Sequence, residues 1–120
     1  MESDEYMRTY EALSWLENNN NPSAFSSNRF RKTDSAIAFI RDLYACGAAE
    51  VLISNIMDEP WRIEEEGGPY ADVLIVKLPA DHAQQENLIK LYQKECRDYF
   101  CNEGIEEAGQ RGETLTFWWD

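Results

Sequence analysis

Leu115-Thr116-Phe117-Trp118-Trp119-Asp120 decides the architecture of this chain. Adjacent side chains of a β-strand point to opposite faces, so Trp118 and Trp119 commit a large aromatic group to each side of a sheet. A chain end is normally frayed and polar, and two tryptophans there predict a docked final strand. Leu115, Phe117 and Trp119 form one uniformly apolar face, while Thr114, Thr116 and Trp118 share the other. The same alternation recurs upstream, with Leu74, Val76 and Leu78 on one side and Val73, Ile75 and Lys77 on the other. The uniformly apolar sets are expected to face helices. The opposite face carries Val73, Ile75 and Trp118, an apolar patch with two readings. Either the N-terminal helix lies over it, or it pairs sheet to sheet in an isologous homodimer.

Outward from that strand, residues 51–57 and 72–78 are rich in β-branched and long apolar side chains and read as strands. The connection 58–71 contains the turn signal Gly67-Gly68-Pro69, with Trp61–Glu65 as a weak extension of a hairpin. Pro79 ends the second of these strands, since it cannot donate to a ladder. Asp81 then stands three residues before Gln84 at capping-box spacing, opening a long helix over about 82–101. Its buried stripe is Leu88, Leu91, Tyr92 and Tyr99, with Glu86–Lys90 and Lys94–Asp98 as exposed pairs. An earlier helix is expected from Thr33 or Asp34, either of which can cap it, to Cys46 before Gly47. It buries Ala36, Ile37, Ile40, Leu43 and Tyr44. Residues 3–17 read as an amphipathic N-terminal helix with Ser3 as cap and a Tyr6, Tyr10, Leu13, Leu16 stripe. Asn18–Asn21 and Pro22 end it, and the stretch to about Asn28 reads as a polar linker.

The order predicts an α+β fold: a two-layer sandwich with a mainly antiparallel sheet of three to four strands, two helices on one face, and an extra N-terminal helix. In topology the chain resembles the ferredoxin-like arrangement, β-α-β-β-α-β, over roughly residues 24–119. The resemblance implies a central first strand within Ala24–Arg31; without it the sheet has three strands. Strand 72–78, helix 82–101 and strand 115–119 are expected to form a right-handed crossover. The 120 residues suit one domain, with residues 1–22 as helix and linker and 23–120 as core.

Charge narrows the function. There are 23 acidic residues against 11 basic ones, for a formal −12. That field opposes nucleic acid and anionic membranes, both of which bind through Lys and Arg. The acid concentrates in residues 58–66 and 103–113, either as solvated loops or as surfaces that steer a basic protein partner. No apolar stretch approaches the ~18 residues of a membrane span, and no signal-length apolar run opens the chain. Cys46, Cys96 and Cys101 form no CxxC pair, which fits reduced thiols and a cytoplasmic location.

Catalytic signals are sparse. His82 is the single histidine and hence the one candidate general base near neutral pH, and no nucleophile accompanies it in sequence. Two of the cysteines fall at helix C-termini and Cys96 falls mid-helix, away from the settings that activate a thiol; all three read as small buried hydrophobes. One His and dispersed Cys do not make a zinc site, and Glu64-Glu65-Glu66-Gly67-Gly68 lacks the alternation of a calcium loop. Gly109-Gln110-Arg111-Gly112 has GxxG spacing but leads into a strand, and reads as a turn. No metal and no cofactor is expected. Two function classes remain. One is a non-catalytic interaction or regulatory module using loop 58–71 with Trp61 as aromatic anchor. The other is a small enzyme or ligand-binding domain with a pocket between sheet and helices, using His82 and nearby carboxylates.

Overall fold

The computed structural model describes residues 8–99 and 114–119. The expectations placed on Ser3, Tyr6, Cys101, the acidic run 103–113 and the GxxG loop lie outside those residues. Four strands form one antiparallel sheet: β1 (Tyr10–Glu11), β2 (Glu50–Met57), β3 (Tyr70–Lys77) and β4 (Thr114–Trp118). Among them run α1 (Ala12–Glu17), α2 (Ser27–Phe30), α3 (Thr33–Ala45), α4 (Pro60–Glu66) and α5 (His82–Tyr99). The expected two-layer α+β class is what forms.

The sheet follows chain order, β1-β2-β3-β4, with every neighbouring pair antiparallel. Two topological expectations are thereby corrected. β1 lies at the sheet edge and is built from Tyr10 and Glu11, not centrally from Ala24–Arg31. The latter segment contributes one parallel bridge, Phe25 to Ala71, and then turns into α2. Its run of Ser and Asn cannot fill a buried central strand, whereas Ala24 O and Ser26 N–H bond Ala71 of β3 and Phe25 between them buries its ring. The second correction concerns β3 and β4, which pair directly and antiparallel, so α5 does not link parallel strands. Phe117 opposite Leu74 and Leu115 opposite Val76 align the two apolar rows only in that register.

The inner face carries the core. Val51, Ile53, Leu74, Val76, Leu115 and Phe117 are buried under α3 and α5. Both helices reach the same strand: Phe39 of α3 and Tyr92 of α5 meet the Phe117 ring edge-on, at 5.8 and 4.8 Å between centroids. α3 follows its expected bounds and stripe, with Ala36, Ile40 and Leu43 buried and Ile37 and Tyr44 half-buried. Thr33 does not cap it; its hydroxyl instead donates to the Asn21 carbonyl at 2.6 Å and accepts from Ala24 N–H at 2.9 Å. Asp81 does cap α5, accepting from Gln84 N–H at 2.9 Å. Of the stripe expected on α5, Leu88 and Tyr92 are buried and Leu91 half-buried, but Tyr99 is exposed.

The N-terminal helix is shorter than its periodicity suggested. α1 begins at Ala12 because Glu11, still extended at φ −61° and ψ 130°, accepts from Ser14 and Leu13 N–H at 2.7 and 3.2 Å. α1 packs on α3 and β2 through Ala12 and Leu16. It therefore does not lie over Val73, Ile75 and Trp118, as one reading required. The stretch 18–28 is no loose linker either. Ala24, Phe25 and Ser26 are buried, Asn19 Nδ2 donates to Pro69 O at 2.9 Å, and Asn21 Nδ2 donates to Gly68 O at 3.2 Å.

A further correction falls in 58–71. Instead of extending a hairpin, residues 60–66 form α4, with Pro60 at its first position and Gly67 closing it at φ +95°. Arg62 braces it by bonding Glu59 at 2.8 Å and Glu66 at 3.2 Å.

Candidate functional site

The polar groups that sequence reasoning missed lie under β4. Glu95 of α5 is buried, and its Oε2 accepts from Trp119 Nε1 at 3.0 Å and from Arg29 Nε, while Oε1 accepts from Arg29 Nη2 at 3.3 Å. The guanidinium also lies 3.9 Å from the Tyr99 ring centroid and 4.6 Å from that of Phe30. Trp119 in turn meets Phe25, Phe30 and Phe39 edge-on at 6.0, 5.1 and 5.8 Å. The carboxylate thus has its charge compensated and its oxygens bonded within an aromatic nest. Among the described residues no buried side-chain nitrogen or oxygen lacks a partner. Such a network fixes β4 and α2 onto α5.

A second polar cluster joins the two ends of the fold. Tyr44 O–H donates to Glu11 Oε2 at 2.7 Å and accepts from Val51 N–H at 3.0 Å. Burial, with the Glu11 carboxylate next, pushes the Tyr44 hydroxyl up to about 12. For Glu11 burial pulls upward, but bonds from Ser14 N–H, Tyr44 and Leu13 N–H outweigh it and hold the carboxyl below its ordinary value.

Three concavities border residues 18–23. A cleft of about 350 Å³ is lined by Tyr10, Glu11, Trp15, Asn18, Asn19 and Pro69, together with Ser14. A second, of about 410 Å³, lies between Ser23, Ser27, Arg62 and Tyr70. A third, of about 760 Å³, runs from Leu16 past Asn20 to Thr33 and Ile37. The turn beside the first cleft is tight: a Cβ on Gly68 would stand 2.1 Å from Asn19 Oδ1, so a larger residue must push the Asn19 side chain off its bonds to Pro69 O and Asn21 N–H. None of these three clefts includes His82, which is exposed on the first turn of α5.

The residues singled out by sequence are dispersed. Trp61 on α4 is 48% exposed, with the Arg62 guanidinium 4.6 Å from its ring centroid, and Ile63, two residues on, is also exposed. Glu64, Glu65 and Glu66 follow on the same helix, all exposed. The Arg62 hydrogen bond holds the Glu59 carboxyl below its ordinary value. Val73 and Trp118 pair across β3 and β4, with Ile75 opposite Thr116 and Leu52, forming the outer sheet face. Trp118 is 36% exposed there, while Val73, Ile75 and Leu52 are half-buried. Cys96 is buried and Cys46 half-buried. No cluster of three His, Cys, Asp or Glu among the described residues is arranged to hold a metal. No described helix is long and apolar enough to cross a membrane.

No family model matches the chain, and neither does any curated protein or solved structure.

Proposed function

We propose that this protein is a small, acidic, non-catalytic interaction module whose partner is a basic protein. The observation that supports this reading most directly is α4. It presents Trp61 and Ile63 to solvent within a run of glutamates, and its one arginine is turned inward against Glu59 and Glu66. An exposed indole rimmed by charge is the composition of an interface anchor, and the rim selects for Lys and Arg opposite it. The formal −12 extends that preference over the molecule and argues against nucleic acid as the ligand.

Affinity capture from host lysate at ~0.05 and ~0.5 M salt tests the reading, because that change shortens the screening length severalfold. A basic protein retained at low salt, released at high salt and lost with Trp61→Ala is the expected result. Binding that ignores both salt and Trp61 contradicts it.

The outer sheet face supports a second contact, with another copy of the chain. Val73, Ile75, Leu52 and Trp118 form an apolar row that α1, α3 and α5 leave uncovered, bounded by the Glu50–Lys77 ion pair at 3.3 Å. Sedimentation across a concentration series reads this directly, with a dimer that dissociates in Trp118→Ala as the expected outcome.

A further inference from the structure

The cleft between β1, α1 and the Gly67–Pro69 turn has a chemistry of its own. Its lining contains two large aromatic residues, Tyr10 and Trp15, and the pyrrolidine of Pro69. Among the described residues its one charged lining residue is Glu11, and no Lys or Arg lines it. Tyr10 is 46% exposed and so available to a ligand, while Trp15 is half-buried and packed on the core. At about 350 Å³ the space suits one side chain or a small headgroup rather than an extended substrate.

The hydrogen bonds around Glu11 leave it a capacity to spare. Its Oε2 already accepts from Leu13 N–H and Tyr44 O–H, but its Oε1 accepts only from Ser14 N–H among the described donors. A carboxylate offers about four lone-pair sites, so the count leaves room for one further donor or a cation. The cleft walls are also set before any ligand arrives. Asn19 is tied to Pro69 O at 2.9 Å and to Asn21 N–H at 2.9 Å, and Asn18 Nδ2 to Ser14 O at 2.8 Å. Anions are disfavoured here by the carboxylate and by the net charge of the chain.

We propose that the Tyr10–Trp15–Glu11 cleft binds an alkylammonium group, the lysine or methylated-lysine side chain of a basic protein. Aromatic faces attract such cations through their quadrupoles, and the adjacent carboxylate neutralises the charge. The assignment rests on the reading of a basic partner and adds to it a specific pocket, separate from α4. A free quaternary amine has the same chemistry and is the competing source.

The test is an NMR titration of the intact protein, following the indole N–H resonance of Trp15, with four probes. These are Nα-acetyl-lysine amide, its Nε-trimethyl derivative, choline, and 3,3-dimethylbutanol, the uncharged isostere of choline. The expected result is a saturable Trp15 shift with the lysine-type cations and none with dimethylbutanol. Tyr10→Ala should weaken that binding about two- to thirtyfold, the span of a cation–π contact. Exposed Tyr10 is the residue varied because Trp15 packs on the core and carries the reporting resonance. An equal shift with dimethylbutanol, or no saturable shift up to ~50 mM (about fiftyfold above a 1 mM constant), overturns the proposal. Tighter binding of choline than of the trimethyl-lysine probe overturns the partner side chain as the ligand. A captured partner that needs Trp61 but not Tyr10 or Trp15 sinks the pocket while the interaction reading stands.

Discussion

Trp118 and Trp119 are neighbours in sequence with the same side chain, yet one is 36% exposed and the other 2%. The difference comes from what each face of the sheet meets. On the inner face, Trp119 touches three phenylalanine rings edge-on and gives its N–H to the buried Glu95. On the outer face, Trp118 stands opposite Val73 in a row that the core helices leave open. Apolar area is thus buried by folding on one side and left partly exposed on the other. Indole chemistry does not distinguish these roles; strand parity does.

The sharpest way to break that contrast is Trp119→Ala. Truncating a buried tryptophan costs ~3–5 kcal/mol, and here it also strips Glu95 of a donor. Chemical denaturation should show a loss in that range, a large share of the ~5–15 kcal/mol that holds a domain together. Next in size is Arg29→Met, which removes the charge facing Glu95 but keeps much of the stem that covers the aromatic nest. A hydrogen bond to a charged group is worth ~1.5–3 kcal/mol, and roughly that loss is expected. Adding Glu95→Leu to Arg29→Met should recover part of it, since two apolar groups no longer leave a carboxylate buried alone. A double variant as unstable as the simple sum of the two single ones denies the coupling.

The inner face could be read from the sequence, and its polar centre could not. Period-two alternation placed Leu115, Phe117 and Trp119 inside without any knowledge of partners. Glu95 lies on the same side of α5 as Leu88 and Tyr92, at seven and three residues' distance, so helical periodicity put it in the stripe. Its charge argued it out, because the compensating Arg29 is 66 residues away in sequence. Asn19 and Asn21 misled in the same way: the carbonyls that make 18–23 an ordered wall belong to Gly68 and Pro69, far along the chain. The helix α4 is different, since Pro60 and Gly67 stood at its ends as start and stop signals. Its glutamate run masked them. The two residues of β1 are too short for any period to detect; their partners Ile53 and Leu52 alone define the strand.

A smaller effect tests the cluster that ties β1 and α1 to the inner face. Tyr44→Phe removes one bond to Glu11 and one from Val51 N–H, at a cost of ~1–2 kcal/mol near neutral pH. The part of that cost carried by the Tyr44–Glu11 bond should shrink at both ends of the pH range. Tyr44 in the folded protein titrates near 12, above the ~10 of an unfolded chain. Its contribution is therefore present below pH ~10 and lost as pH rises from there towards 12. The Glu11 carboxyl is lowered on folding, so its contribution is present above the unfolded value near ~4.3 and lost as pH falls through the folded one. Denaturation of wild type and Tyr44→Phe across pH isolates the two limbs by difference. A stability gap that stays constant from neutral to pH ~12 would show that the phenol proton takes no part.

The smallest effect is the one that completes the comparison. Trp118→Ala removes an indole whose face is already wet, so its cost to the protomer should stay below ~1 kcal/mol, as at other surface positions. Its neighbour Val73 and the Ile75–Leu52 pair remain to cover the backbone of the central strands. What should change is association: if outer faces pair, Trp118 is the largest apolar side chain of the contact and its loss shifts the monomer–dimer balance without moving the denaturation midpoint of the monomer. Denaturation at a concentration below the dimer constant, run beside sedimentation at a concentration above it, separates the two quantities. A Trp118→Ala protein that loses as much stability as Trp119→Ala, with its assembly unchanged, would mean that both faces of β4 belong to one buried core.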